Sequence, residues 1–237
     1  MEVTYFRARR DGPESAMESA VARQIGLLSP PARHPVWAAG SLPVGAGMPD
    51  LLVTWYDPRV RDLAPADPLS TVILGYLRLA GRARLETISQ RIGQTNDRVS
   101  HCLKALTNAR IVSQDGTLFS VRQQWRRILS QVVSIEAKVT DWQKAAAQAA
   151  RNRIFAHRSF VALPRATALR VRKEAPFRKL GLGLLSVDAN DGVAIVRNAP
   201  LRQPRVWAYY YQIALVVAQY SGGGNNALHS ATKRGRS

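Results

Sequence analysis

Two apolar segments of this chain carry charge where a buried strand should have none. They are Gly47-Met48-Pro49-Asp50-Leu51-Leu52-Val53 and Val133-Ser134-Ile135-Glu136-Ala137-Lys138-Val139. A folded chain tolerates such charges only where they find partners or a metal. Side chains alternate faces along a strand, so Glu136 and Lys138 should point the same way, roughly 7 Å apart. With Asp50 on a neighbouring strand, two carboxylates and an ammonium would converge. That set can hold a divalent cation and place a water beside a phosphodiester. The plainer alternative makes Asp50 a turn cap, Glu136 the partner of an arginine at a sheet edge, and Lys138 a lysine with its stem on apolar surface and its head in water.

The bulk numbers set bounds. A chain of 237 residues, 46% hydrophobic, can bury a substantial core in one large domain or two small ones. Its 34 basic and 16 acidic residues give a net charge of +18, which calls for a polyanionic partner, nucleic acid first. Cys102 is the one cysteine, so no disulfide can form within the chain and no thiolate zinc site can be built. His34, His101, His157 and His229 share no metal-ligand spacing. The N-terminus lacks a signal-peptide pattern, and the apolar run from Val206 to Tyr220 is too short to span a bilayer. A cytoplasmic protein with no membrane partner is expected.

Residues 13–28 read as a helix with Met17, Val21, Ile25 and Leu28 on one face, stopped by Ser29-Pro30-Pro31. Strands are expected over 34–42 and 49–56, and a proline-rich boundary follows at 65–68. Residues 69–79, 85–92 and 96–108 then read as three helices, the second closed by Gly93. A hairpin follows, turning at Asp115-Gly116. Beyond it come a strand over 132–139, a helix over 141–156 capped by Asp141, and a strand over 160–163. A helix over 166–179 broken at Pro176, paired strands over 182–187 and 193–196 around Asn190-Asp191-Gly192, and a helix over 205–220 complete the order. The glycine-rich, basic residues 221–237 are expected to be a disordered tail.

Asp50, Glu136 and Lys138 resemble the signature of the PD-(D/E)xK nuclease superfamily, matched by Pro49-Asp50 and Glu136-Ala137-Lys138. With 16 acids and 6 lysines, about 0.4 acid-x-Lys triplets are expected by chance, and one occurs, inside an apolar strand. The three helices and hairpin resemble a winged helix-turn-helix, with ten basic and three acidic residues between Leu69 and Arg127. Removing residues 67–128 leaves helix, strand, strand, strand, helix, strand. The combined resemblance implies an α/β restriction-endonuclease-like fold: an αβββαβ core with a mixed sheet over residues 1–66 and 129–220, and an inserted winged helix over 67–128. Such an insertion accounts for a gap between the two motifs that is usually much shorter in the superfamily, and it should lift out to leave a folded core.

The resemblance also implies an activity: Mg²⁺- or Mn²⁺-dependent hydrolysis of DNA. Asp50 and Glu136 would hold the metal with the Ala137 carbonyl, and Lys138 would orient or deprotonate the attacking water. An acid of the first helix would complete the metal shell, and Glu18, bordering the buried face, is preferred to Glu14. Gln148, on a helix face shared with Ala145 and Asn152, would reach the site or the scissile phosphate. Gln143 competes for that role, and Trp142 reads as a packing residue. In the winged helix, Gln94, Thr95, Asn96, Arg98 and His101 would meet double-stranded DNA, although such a domain can serve protein contacts instead. Two rival functions stand beside an endonuclease acting alone or as a homodimer. One is a DNA-binding regulator or assembly subunit with an inactive core. The other is a nuclease subunit of a larger DNA-processing complex.

Overall fold

The computed structural model describes residues 2–8, 11–28, 34–45, 47–190 and 192–221. Apart from Ser221, the expected tail lies outside these residues, as do the Ser29-Pro30-Pro31 stop and Asp191 of the expected turn.

The chain is α/β, built on a mixed seven-stranded sheet. Chain order begins β1 (Thr4–Tyr5), α1 (Pro13–Arg23), β2 (Val36–Gly40) and β3 (Leu51–Tyr56). There follow α2 (Pro68–Ala80), β4 (Ala83–Arg84), α3 (Leu85–Ile92), α4 (Asn96–Asn108), β5 (Val112–Asp115) and β6 (Leu118–Val121). The rest comprises β7 (Leu129–Ala137), α5 (Trp142–Asn152), β8 (Arg158–Pro164), α6 (Arg165–Val171), α7 (Ala175–Lys179), β9 (Gly183–Val187), β10 (Val193–Arg197) and α8 (Trp207–Tyr220).

The large sheet runs β1-β2-β3-β7-β8-β9-β10. β7, β8 and β9 are parallel neighbours, while β3 pairs antiparallel with both β2 and β7. Every residue of β3 is buried, as is all of β7 except Ser130, because both faces of the sheet are covered. On one face Met17 and Val21 of α1, with Ile25 just beyond it, pack against Val53, Ile135 and Ala162. On the other, the alanines of α5 meet Val161 and Leu184.

Residues 67–128 form three helices and a second sheet ordered β4-β6-β5. Gly93 ends α3 in the left-handed conformation (φ 67°, ψ 40°), where a glycine carries no Cβ penalty. Gly116, at φ 57°, turns the β5–β6 hairpin. This segment does not hang from a bare tether. One hydrophobic cluster contains Ile73, Leu74 and Leu77 of α2, Leu52 of β3 and Tyr210, Tyr211 and Ala214 of α8. Gly75 makes the α2–α8 approach possible, since a Cβ there would lie 2.5 Å from the Ala208 nitrogen. The expectation that the segment lifts out to leave a folded core therefore meets a shared interior.

Other differences have local causes. α1 stops at Arg23 and a 3-10 turn carries Ile25–Leu28, with Gly26 inside it. β7 begins at Leu129 and ends at Ala137, so Lys138 lies just past the strand, although its N–H still bonds the Ala162 carbonyl at 3.1 Å. The break between α6 and α7 falls at 172–174, because Pro176 sits in the first turn of α7, where a missing N–H costs nothing. Among the described residues, no helix is long and apolar enough to cross a membrane.

Candidate active site

The end of β7 and the start of β3 are brought side by side by the register Leu51↔Ile135. Asp50, the residue before β3, therefore reaches the end of β7, and its Oδ2 accepts the Ala137 N–H at 2.8 Å. Lys138 follows directly and places its Nζ 3.7 Å from the same oxygen. That ammonium also donates to the Ala137 carbonyl at 3.0 Å and to Glu14 Oε2 at 2.9 Å. Asp50, Lys138 and the end of β7 thus meet, by strand register and not by the simple alternation that would set Lys138 in the ladder beside Glu136.

Glu136 is buried in β7, 1% exposed. Its Oε1 accepts a hydrogen bond from Asn152 Nδ2 at 2.6 Å, and Oε2 has no partner among the described residues. An orphaned carboxylate oxygen in the interior is costly, and proteins retain one where something else completes it. Gln148, one turn before Asn152 on α5, is half-buried and its Oε1 is likewise without a partner. Gln143 is exposed, and Trp142 stacks on Phe177 at 5.9 Å as a packing residue.

The electrostatics follow from this crowding. Burial first, and the Asp50 charge second, push the Glu136 carboxyl up to about 8 against the Asn152 hydrogen bond and the fields of Lys138 and Arg151. Burial also raises Asp50, opposed mainly by the Ala137 N–H and Lys138. For Lys138, burial alone would favour the neutral amine. The Glu14 hydrogen bond and the charges of Asp50, Glu14 and Glu136 together outweigh it and raise its pKa, so the side chain is an ammonium at neutral pH. It is suited to donate hydrogen bonds and offset negative charge, and poorly suited to remove a proton.

On α1, the acid that touches Lys138 is Glu14. Glu18 lies one turn further along, half-buried and engaged in an interaction of its own. Sequence favoured Glu18 because it borders the apolar face. That choice concerned the metal shell; the contact with Lys138 is made by Glu14, in the first turn of α1. Asn152 is the neighbour to which sequence gave no role. Its signal was its place one turn after Gln148, and Gly47 supplies another, since a Cβ there would press on Asn152 Oδ1 at 2.6 Å.

Among the described residues, no group of three or more His, Cys, Asp or Glu side chains is placed to hold a metal. The available donors are the Asp50 and Glu136 carboxylates and the Ala137 carbonyl. An all-oxygen set of this kind fits Mg²⁺ or Mn²⁺, which keep several waters, and the unpartnered Glu136 Oε2 is the atom a cation would satisfy.

In the helical segment, Thr95, Asn96, Arg98 and His101 are exposed around the start of α4, and Gln94 is half-buried. Arg98 Nη1 donates to Gln94 Oε1 at 3.2 Å, so the two share one orientation. A cleft of about 780 Å³ lies between the start of α3, the later part of α4 and the β5–β6 hairpin, lined by Arg84, Lys104, Thr107, Gln114 and Phe119 and by none of those five residues. Asp50, Glu136 and Lys138 are not among its lining residues. No protein-family model, curated protein or solved structure matches this chain.

Proposed function

We propose that this protein is a metal-dependent DNA endonuclease of the PD-(D/E)xK type, guided to duplex DNA by a winged helix-turn-helix inserted over residues 67–128. The observation that carries the reading is the meeting of Asp50 and Lys138 at adjoining ends of β3 and β7, within electrostatic reach of the buried Glu136, one of whose carboxylate oxygens is left unpartnered among the described residues. The strand–strand–strand–helix–strand run of β2, β3, β7, α5 and β8 behind α1 supports the nuclease core. Three helices followed by a hairpin, with a third short strand on its edge, support the winged helix.

In this reading Asp50, Glu136 and the Ala137 carbonyl hold Mg²⁺ or Mn²⁺. Such an ion, when bound, makes a ligand water more acidic and neutralises charge on the phosphate. Lys138, kept protonated by its acidic neighbours, orients the nucleophilic water and stabilises negative charge developing on the phosphoryl oxygens. Asn152 fixes the Glu136 carboxylate through Oε1 and leaves Oε2 without a partner among the described residues. Gln148 contributes an amide from the same helix face. In-line attack leaves a 5′-phosphate, and one site per chain cuts one strand, so a double-strand break requires two copies or two events.

The test is cleavage of supercoiled plasmid by the purified protein with Mg²⁺, Mn²⁺ or EDTA. Nicking or cutting should require the metal, and Asp50→Asn and Lys138→Ala should each lower the rate by 100-fold or more, in line with the loss of a preorganised electrostatic group, while duplex affinity is retained. A Lys138→Ala protein that cuts at the wild-type rate would remove the assignment. The second reading, a DNA-binding regulator or assembly subunit with an inactive core, draws on the ion pair of Lys138 with Glu14, which occupies the lysine. It predicts no cleavage under any metal and also none after Glu14→Gln.

A further inference from the structure

Outside the Asp50–Glu136–Lys138 cluster, two arginines border the loop that follows α7, and a third is bonded through its backbone beside the first. Arg153 directly follows α5, and its Nη1 donates to the Leu180 carbonyl. Arg202 lies against the next residue: a Cβ on Gly181 would stand 3.2 Å from Arg202 Nη2 and 3.5 Å from its Cζ. Arg205 is fastened to the end of α5 by its backbone N–H, which bonds the Ile154 carbonyl at 2.9 Å, and the Arg202 N–H bonds the His157 carbonyl at 3.0 Å. Backbone bonds therefore hold the segment 202–205 against residues 154–157, and both Arg153 and Arg202 border Leu180–Gly181.

Among the described residues, none of the ion pairs involves any of these three, and Arg178 and Lys179 stand exposed just before the loop. The Arg153 pKa is lowered, by burial first and then by the positive charges of Arg202 and Arg205. A cap on the last carbonyls of α7 explains Arg153, because a cation is favoured at a helix C-terminus. It does not explain why two further arginines are held beside it by their backbone, with none of the three in an ion pair with a carboxylate among the described residues. Like charges so placed repel, and binding of a multiply charged anion relieves that repulsion. Planar guanidinium forks match the oxygens of a phosphate in particular.

We propose that Arg153, Arg202 and Arg205 form a preassembled binding site for a phosphate group, separate from the Asp50–Glu136–Lys138 cluster. The phosphate can come from a nucleic-acid backbone, a choice that rests on the DNA reading above, or from free phosphate or pyrophosphate. In the first case the site anchors the duplex at a second point, away from the reading surface of α4, and fixes its register over the core.

The experiment uses the full chain, Arg202→Gln/Arg205→Gln, and a control that removes the same net charge at scattered exposed positions, Arg7→Gln/Lys173→Gln. Both pairs lie at the surface, and unchanged circular dichroism and Tm confirm folding. Should the double variant fold poorly, Arg202→Gln alone serves. Affinity for a 30-base-pair duplex is measured by fluorescence anisotropy from 50 to 300 mM salt. Loss of one phosphate contact should make the log–log salt slope shallower by about 0.9 and weaken binding roughly tenfold at 0.1 M salt. Such a change in the site variant, absent from the control, establishes the backbone as the source. An unchanged slope together with a pyrophosphate-induced rise in Tm that the site variant loses establishes the free-anion source. If the site variant matches wild type in both measurements, or the control shifts the slope as much, the site is refuted. Cleavage is not read, so a failed nuclease assignment leaves this test intact.

Discussion

Gly75→Ala decides whether residues 67–128 share an interior with the large sheet or sit on it as a separate module, because the two arrangements give opposite signs. Gly75 is in the middle of α2, where alanine in place of glycine stabilises an unobstructed helix by about 1 kcal/mol. In the structure, the new Cβ would lie 2.5 Å from the Ala208 nitrogen, 2.7 Å from its Cα and 3.0 Å from its Cβ. Two of those atoms are backbone, so no rotamer change relieves the contact, and α2 must move from α8 by about 1 Å to restore van der Waals distance. A gap of that size forfeits a quarter to a half of each contact's attraction across the interface, which buries Ile73, Leu74, Tyr210, Tyr211 and Ala214. Overpacking of this kind costs about 1–3 kcal/mol, so after the propensity gain the net effect is roughly 0–2 kcal/mol of destabilisation, and Gly75→Leu should exceed it. For a chain of this size 1 kcal/mol corresponds to about 2–4 °C in Tm. Thermal unfolding followed by circular dichroism and calorimetry should show a lower Tm in one cooperative transition. A rise in Tm for Gly75→Ala would mean that α2 does not dock on α8, and the shared interior would fall with it.

Acid should destabilise the protein through His157, whose burial pushes its pKa from 6.5 to about 4 while its Nδ1 accepts the Val132 N–H at 3.0 Å. The folded value lies below the unfolded one, so this stability is present above about pH 6.5 and is lost as pH falls towards 4. The loss is about 3 kcal/mol at most, and urea midpoints that fall as steeply in His157→Asn as in wild type would refute the assignment. Asn152→Leu removes the donor to Glu136 Oε1 from a position only 2% exposed, and should cost about 1–3 kcal/mol in urea unfolding. An unchanged midpoint would show that the bond is not made. Arg98→Ala should weaken binding to a preferred duplex more than binding to random duplex, by about 1–3 kcal/mol of discrimination, and equal losses on both would take Arg98 out of base reading.

What the sequence disclosed and what it withheld divide along a physical line. Strands and helices with strong periodicity were legible, and so was the pairing of Asp50 with the end of β7, because a charge inside an apolar strand has few permitted destinations. The glycine that ends α3 and the one that turns the β5–β6 hairpin were legible for a similar reason, since each marks a backbone conformation that other residues rarely adopt. Glu14 and Asn152 were not, because each meets the site through packing of a whole helix against the sheet. Glu14 and Glu18 lie one turn apart on nearly the same face of α1, so the choice between them depends on how far the helix is shifted along its axis, and pattern alone does not fix that shift.

The α2–α8 contact was hidden for a further reason. Its apolar residues on both helices read equally well as the interior of two separate units, and the compositional change near Pro65 and Pro68 suggested a boundary. Gly75 was the one available clue: a glycine in mid-helix, where it costs stability, signals that another backbone comes close. The consequence is functional. If DNA is read at the start of α4 and cut beside Asp50, the two surfaces are joined through α2 and α8 and not by a flexible tether. The distance between reading and cutting positions is then fixed by a packed helix pair, and lengthening the loop around Pro65 should leave the cutting position unchanged.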